Sequence, residues 1–433
     1  MKIYLDMVGC RLNQSEIEAY GRQFRLAGHT LISEIDTADL IVVNTCSVTA
    51  AAASDSRQKI RQAARTGKAQ IIVTGCYASL NPIETAAFPQ VTQVVDNLSK
   101  DFLVPLVLNL PRSTFDHTSL RRDPIPGTRM RTRAFIKVQD GCDNRCTYCI
   151  TALARGASKS RSVEDVLMDI RSAVEGGSQE IVLTGVHLGS WGYDFCERGS
   201  IKDLIREILS ETETPRLRLS SLEPWDITPD LFELWQDPRL CRQLHLPLQS
   251  GCKATLQRMG RKITPEAYAA LINEARSAIP DVAITTDIIT GFPGETQAEF
   301  SESRDFIDAM SFANGHVFTF SARPGTAANH LADKIPAKVA KQRNAVIRLI
   351  FQQSASVYRG KHISQKLSVL WEKAAPLDKG RWQLSGWSDN YIRVRAIGSC
   401  ACRNHIMDVG ISRSEGDELI GDITQDSTSI YPN

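Results

Sequence analysis

The chain has 433 residues, 42% of them hydrophobic and 23% charged, with a formal net charge of +2. That length exceeds one ordinary hydrophobic core and predicts two to three domains, while the composition excludes a disordered or fibrous protein. So small a net charge also excludes a uniformly basic nucleic-acid binder, leaving local patches as the only route to a polyanion.

The first residues run quickly into Arg11, Asn13 and Gln14, without the apolar core or small-residue cleavage site of a signal peptide. No apolar run is long enough to span a bilayer, so a cytoplasmic protein with no membrane partner is expected. Eleven cysteines, an odd number without an export signal, predict reduced thiols instead of a disulfide framework.

Residues 1–110 alternate strands with helices: strands at 2–8, 40–44, 70–74 and 91–95, helices at 14–26 and 49–65. Such alternation predicts a parallel α/β sheet. Cys10, Cys46 and Cys76 each fall just past a strand end. Open α/β sheets bind ligands at the carboxyl ends of their strands, so three thiols distant in sequence can converge there. The alternative is three small residues that simply pack.

Residues 111–133 break the pattern with Arg112, Arg121, Arg122, Arg129, Arg131 and Arg133 around Pro124 and Pro126. They read as an exposed linker or a phosphate-contacting strip. A second α/β series spans 134–335, with strands at 135–138, 180–183, 216–219, 243–248, 282–289 and 316–320 and helices such as 163–174 and 265–278. Six βα repeats predict a partial barrel whose strand tops face a substrate. A basic helix at 337–360, within a 336–361 connector, leads to five short strands between 366 and 423, which predict a small β-barrel over 362–425.

The most specific feature is Cys142, Cys146 and Cys149, spaced C-x3-C-x2-C with Tyr148 before the third cysteine. Three thiolates can hold a [4Fe-4S] cluster by three irons and leave the fourth open to a small molecule. Zinc would want a fourth ligand nearby, and no second Cys/His pair follows. The motif resembles that of the radical S-adenosylmethionine (radical SAM) enzymes, in which this cofactor chelates the open iron and yields a 5′-deoxyadenosyl radical. On that resemblance Tyr148 lies near the adenine. Segments after strands, containing Gly185, Glu223, Gln249, Gly291 and Glu295, would line the cofactor site; small residues at strand tops let backbone approach a ligand.

The strings Gly9-Cys10-Arg11-Leu12-Asn13-Gln14, Asn44-Thr45-Cys46, Thr74-Gly75-Cys76, Gly141-Cys142-Asp143-Asn144-Arg145-Cys146 and Leu246-Pro247-Leu248-Gln249-Ser250-Gly251 together resemble the methylthiotransferases. The first string is most like the MtaB-type branch. The resemblance implies an N-terminal auxiliary [4Fe-4S] cluster on Cys10, Cys46 and Cys76, a radical SAM domain and a C-terminal RNA-binding TRAM domain. It implies that a methylthio group replaces hydrogen at C2 of N6-threonylcarbamoyladenosine at tRNA position 37, consuming two S-adenosylmethionine molecules. The tRNA anticodon stem-loop, an electron donor such as flavodoxin or ferredoxin, and a sulfur source would be partners. No catalytic side chain beyond the cluster ligands is identified. Ala152 and Lys159 depart from the family's usual proline and arginine, which bears on substrate detail more than on chemistry.

Alternatives within the class are isopentenyladenosine in tRNA or a ribosomal-protein aspartate. Outside it stands an iron–sulfur electron carrier with an RNA-binding tail. In that tail Trp387, Tyr391, Arg393 and Arg395 could stack bases and hold phosphates, although a small barrel also needs large residues for its core. Cys400 and Cys402 form a C-x-C pair for which metal binding is a minor reading; Cys196, Cys241 and Cys252 read as packing residues.

Overall fold

Apolar strands carrying few charges pair in parallel when helices cover both faces, and the N-terminal third follows that rule. A computed structural model describes residues 1–115, 126 and 132–423. Strands β1 (Lys2–Met7), β2 (Thr30–Leu31), β3 (Leu40–Thr45), β4 (Gln70–Gly75) and β5 (Val91–Val95) form one parallel sheet ordered β2-β1-β3-β4-β5. The helix Arg11–Leu26 turns Leu12, Ile17, Tyr20 and Phe24 into the core, the three-to-four spacing of an amphipathic helix. The next helix, Ala50–Ala64, is capped by Thr49, whose side chain accepts from Ala52 N at 3.1 Å. Because β1, β3 and β4 are neighbours, the three cysteines at their carboxyl ends become neighbours too.

The expected linker is described only at its ends. Arg112 lies over the Phe102 ring at 5.1 Å, and Arg133 opens β6 (Arg133–Lys137); Arg121, Arg122, Arg129 and Arg131 lie outside the described residues. A short hairpin, β7 (Gln139–Asp140) with β8 (Lys159–Ser160), brackets the cysteine motif. The central domain then adds β9 (Glu180–Thr184), β10 (Leu217–Leu219), β11 (Gln243–His245), β12 (Ala283–Thr290) and β13 (Asn314–Thr319). They make two parallel three-stranded sheets, β10-β9-β6 and β11-β12-β13, joined at the seam by the bridges Leu217↔Leu240 and Ser221↔His245. This is the six-stranded partial barrel expected. Residues such as Ile136, Ile181, Leu183, Leu219, Leu244 and Ile284 face the surrounding helices as one buried core. The helix Arg11–Leu26 packs against the edge strand β6, which joins the first two domains.

The helix Ala337–Gly360 runs where expected. Beyond it β14 (Lys366–Pro376), β15 (Trp382–Ser388), β16 (Arg393–Gly398), β17 (Ile406–Glu415) and β18 (Glu418–Ile423) close into a barrel ordered β14-β15-β16-β18-β17. Its core holds Trp371, fully buried, with Val369, Leu384, Val394 and Val409. The tail strands run longer than the sequence pattern suggested, because barrel closure pairs residues that alternation alone leaves ambiguous. Cys400 and Cys402 lie side by side in the connection between β16 and β17, their Cα atoms 5.3 Å apart.

This small barrel docks on the amino ends of the central strands. Arg133 pairs with Glu372 at 2.8 Å, Arg242 with Asp389 at 2.6 Å, and Arg216 donates to Ser368 Oγ at 2.9 Å. The carboxyl ends of the strands, where ligands bind, stay on the opposite side.

Candidate functional site

Cys10 occupies the position before the helix Arg11–Leu26, yet its side chain caps no backbone amide. Gly9, at φ +110°, lies so close to Cys46 that an added Cβ would sit 2.7 Å from its Sγ. Cys76 follows Gly75, whose φ of +93° favours glycine and whose Cβ, if present, would collide with Thr45 O. Cys46 is anchored by Ser56: its amide donates to Ser56 Oγ and its carbonyl accepts from it, both at 2.9 Å. Each thiol lies within electrostatic reach of its partners. Burial pushes the Cys46 thiol up to about 11, so ionising it needs a strong local positive charge.

Arg155 is one such charge, and it comes from the other cysteine motif. It ends the helix Thr151–Arg155, just after Cys149. Its Nε donates to Cys76 Sγ at 3.3 Å, Nη2 to Asn13 Oδ1 at 2.8 Å, and Nη1 to Glu16 at 3.0 Å and Asp140 at 2.9 Å. Lys100 pairs with the same two carboxylates at 2.6 Å each. Asn97 adds a long amide contact to Cys76 Sγ at 3.8 Å. Donors aimed at sulfur are what tunes a cluster's potential.

The second triad lies on a loop after β7. Gly141, at φ +69°, leaves no room for a Cβ against the 156–157 backbone, and Cys142 N donates to Gly156 O at 3.0 Å. Thr147 N donates to Met259 O at 2.9 Å, and Cys149 N to Cys146 O at 3.1 Å. Arg261 Nη1 makes a long contact to Cys146 Sγ at 3.9 Å while it pairs with Glu223 at 2.7 Å and stacks on Trp225 at 4.4 Å. His187 stands by Cys142. Burial lowers its pKa, but hydrogen bonds to Asp226 and Cys142 outweigh that and raise it to about 9.

Both triads are half-sheltered sets of three sulfurs with donors trained on them, a chemistry that fits [4Fe-4S] clusters. Among the described residues no three Cys, His, Asp or Glu side chains close on one point as ligands of a single ion would. A cube's ligands, each on a different iron, stand farther apart.

Tyr148 is half-buried, edge-on against Phe292 with ring centroids 6.4 Å apart, beside Met259, Ala328 and Ile289. Glu223 reaches the cluster motif through Arg261. Gln249, at φ +78°, bonds through its amide to Asp287 O at 2.8 Å. The other expected cofactor residues also have internal tasks. Gly185 packs against Gln139 and Gly291 against Ala340, while the Glu295 carboxylate accepts from Gly291 N at 2.8 Å and pairs with Arg343 at 2.6 Å.

In the small barrel the Trp387 and Tyr391 rings stack at 4.6 Å. Tyr391 OH accepts from Arg11 at 3.2 Å and its ring lies 5.0 Å under Arg218; Trp387 donates to Glu372 at 3.1 Å. Arg393 pairs with Glu418 at 2.7 Å and Arg395 with Glu415 at 2.7 Å. Sequence reasoning missed Asn13, Asn97, Arg155 and Arg261 as neighbours of the sulfurs; His187, which ends a predicted strand, read as a candidate substrate contact and stands instead beside Cys142. Of the missed residues only Asn13, inside the Cys10 string, carried a local signal.

Residues 136–307 match the radical SAM superfamily model, and residues 2–96 match that of the uncharacterized protein family UPF0004. The chain is 35% identical over 399 residues to the threonylcarbamoyladenosine tRNA methylthiotransferase MtaB of Bacillus subtilis (strain 168), covering 89% of this chain and 88% of the relative. It belongs to the methylthiotransferase family of radical SAM enzymes, in the MtaB-type branch. The corresponding Thermotoga maritima protein is 33% identical, covering 96% of this chain and 95% of the relative. A tRNA-2-methylthio-N(6)-dimethylallyladenosine synthase of Trichlorobacter lovleyi is 31% identical, covering 98% and 99%. Among solved structures, the radical S-adenosylmethionine methyltransferase TsrM of Kitasatospora setae shares the fold, with a TM-score of 0.57 at 16% identity over 73% of this chain and 72% of that one. As a member of this family the methylthiotransferase uses [4Fe-4S] clusters and S-adenosylmethionine.

No helix among the described residues is long and apolar enough to cross a membrane.

Proposed function

We propose that this methylthiotransferase acts in the cytoplasm on N6-threonylcarbamoyladenosine at position 37 of the tRNA anticodon loop, replacing the C2 hydrogen by a methylthio group. The observation that carries the reading is Arg155, which follows one cysteine triad directly and donates to a sulfur of the other. Cys142, Cys146 and Cys149 would hold the cluster that serves S-adenosylmethionine, and Cys10, Cys46 and Cys76 the auxiliary one. Bound there, such clusters supply an electron to cleave the cofactor and an open iron on which sulfur can reside.

The protein's own part is positioning. Arg155 and Asn97 donate to Cys76, Arg261 steadies Cys146, and half-buried Tyr148 walls the cofactor side. Gly185, Glu223, Gln249, Gly291 and Glu295 shape the loops above the strands. An external reductant of the flavodoxin or ferredoxin kind and an external sulfur source complete the reaction. Exposed Arg393 and the Trp387–Tyr391 pair belong to the RNA-facing domain, with Arg395 beside them.

The test is mass spectrometry of tRNA nucleosides from cells with and without the protein. Loss of a 2-methylthio-threonylcarbamoyl nucleoside is expected. Loss of a 2-methylthio-isopentenyl nucleoside instead, or no change, would reject the substrate.

A further inference from the structure

Among the described residues seven arginines are buried below one-tenth exposure: Arg155, Arg216, Arg218, Arg261, Arg323, Arg343 and Arg359. Six have a carboxylate partner. Arg323 has none among the described residues. It is 9% exposed, and its Nε and Nη2 donate to nothing. Burying a charge without a counter-charge is unfavourable, so a fold that pairs every other such guanidinium leaves this one for a ligand.

Its location says where the ligand comes from. Arg323 follows β13, at the carboxyl end of the last barrel strand. Thr326 folds back on it, donating from Oγ1 to Arg323 O at 2.7 Å. Ala328 N donates to Thr147 O at 2.8 Å, tying the turn to the second cysteine triad. Gly325 lies against Leu153, on the helix whose last residue binds Cys76. The guanidinium is within electrostatic reach of Cys46. Arg323 therefore sits where the two triads meet. The Nε and Nη2 donors share one edge of the guanidinium, the fork that fits a carboxylate or phosphate side-on.

We propose that Arg323 binds an oxyanion of the RNA substrate and so sets nucleotide 37 between the two metal centres. The inference rests on the proposed substrate. That RNA offers the oxyanion in two forms: the carboxylate of the threonylcarbamoyl group, or a backbone phosphodiester beside the target base.

The experiment uses reconstituted full-length protein, wild type, Arg323→Gln and Arg323→Lys, with iron content and S-adenosylmethionine binding measured on each. Fluorescence anisotropy follows binding of anticodon stem-loops carrying either adenosine or threonylcarbamoyladenosine at position 37, across a salt series. If the carboxylate is the partner, Arg323→Gln loses about tenfold or more in affinity for the modified loop only. If a phosphate is the partner, both loops weaken alike and the salt slope falls by about one. Arg323→Lys, which keeps the charge but not the fork, recovers part of the loss in either case. Affinities within twofold of wild type for both loops overturn the inference, as does a loss confined to S-adenosylmethionine binding or to the auxiliary cluster's potential. Wild-type turnover of the modified loop is scored separately: its absence rejects the functional reading, whereas turnover with unchanged variant binding rejects only the role of Arg323.

Discussion

Replacing Glu180 by Gln should loosen the seat of the C-terminal barrel while leaving the six cysteines of the two triads untouched. Glu180 is fully buried at the start of β9, with Arg218 at 2.8 Å and Arg216 at 3.6 Å. Those arginines reach on into the barrel: Arg218 donates to Asp389 O at 3.0 Å and Ser388 O at 3.2 Å, and Arg216 to Trp387 O at 3.3 Å. Burial alone would raise the Glu180 carboxyl, but Arg218 and then Arg216 and Arg133 hold it down, from 4.5 to about 2. A drop of that size corresponds to about 3 kcal/mol of stabilisation. Stranding a partner of a buried ion pair costs about 3–5 kcal/mol in general, so the two estimates agree at their common edge.

A multidomain chain does not unfold in two states, so a global melt would blur the effect. Native-state hydrogen exchange reads it locally. The amides of Ser388, bonded to Ile392 O, and Cys241, bonded to Leu217 O, should exchange about a hundredfold faster in Glu180→Gln, while β3 and β4 amides stay unchanged. The sign with pH is fixed as well. A carboxyl depressed on folding contributes fully above 4.5 and loses that contribution only as pH falls toward 2. The difference between wild type and variant should therefore be flat from pH 6 to 9. A change below threefold at those amides, or one spread evenly over the chain, would refute the docking argument.

Changing Cys10, Cys46 or Cys76 to Ala should abolish methylthio product while some 5′-deoxyadenosine still forms with dithionite; full product in all three single variants would show the N-terminal set is not needed. Arg155→Met removes the donor to Cys76, so the auxiliary cluster's midpoint potential should fall in an EPR-monitored titration. The accompanying stability loss should be about 2 kcal/mol, nearer the value of one charged hydrogen bond than of an orphaned ion pair, because Lys100 still neutralises Glu16. Gly75→Ala combines a φ of +93° with a backbone collision at Thr45, and should cut the iron retained by the N-terminal domain, measured by iron analysis.

The six cysteines proposed as cluster ligands drew attention for two different reasons. Cys142, Cys146 and Cys149 are local: their spacing alone puts three sulfurs on one loop. Cys10, Cys46 and Cys76 are not local, but each ends a strand, and the parallel order β1-β3-β4 makes strand ends meet. The helix at 337–360 was legible from its period and appears with the same ends. Arg155 was not, because what matters about it is a bond to a sulfur 79 positions away. Its own neighbours in sequence say only that a short helix ends there.

Tyr391 shows the deeper ambiguity. An aromatic ring among arginines is the signature of a base-stacking surface, and also of a cation–π contact inside a protein. Here the ring is held between Trp387 and Arg218, with Arg11 on its hydroxyl, so the same side chains that suggest RNA also clamp three domains together. Arg393 and Arg395 divide likewise, each taken by a glutamate of β17 or β18 or the turn between them. Lys373 and Arg381, on the opposite hairpin, are exposed and carry no ion pair among the described residues. A phosphate approaching this barrel meets those two cations at no cost in broken bridges, whereas reaching Arg395 means displacing a carboxylate first.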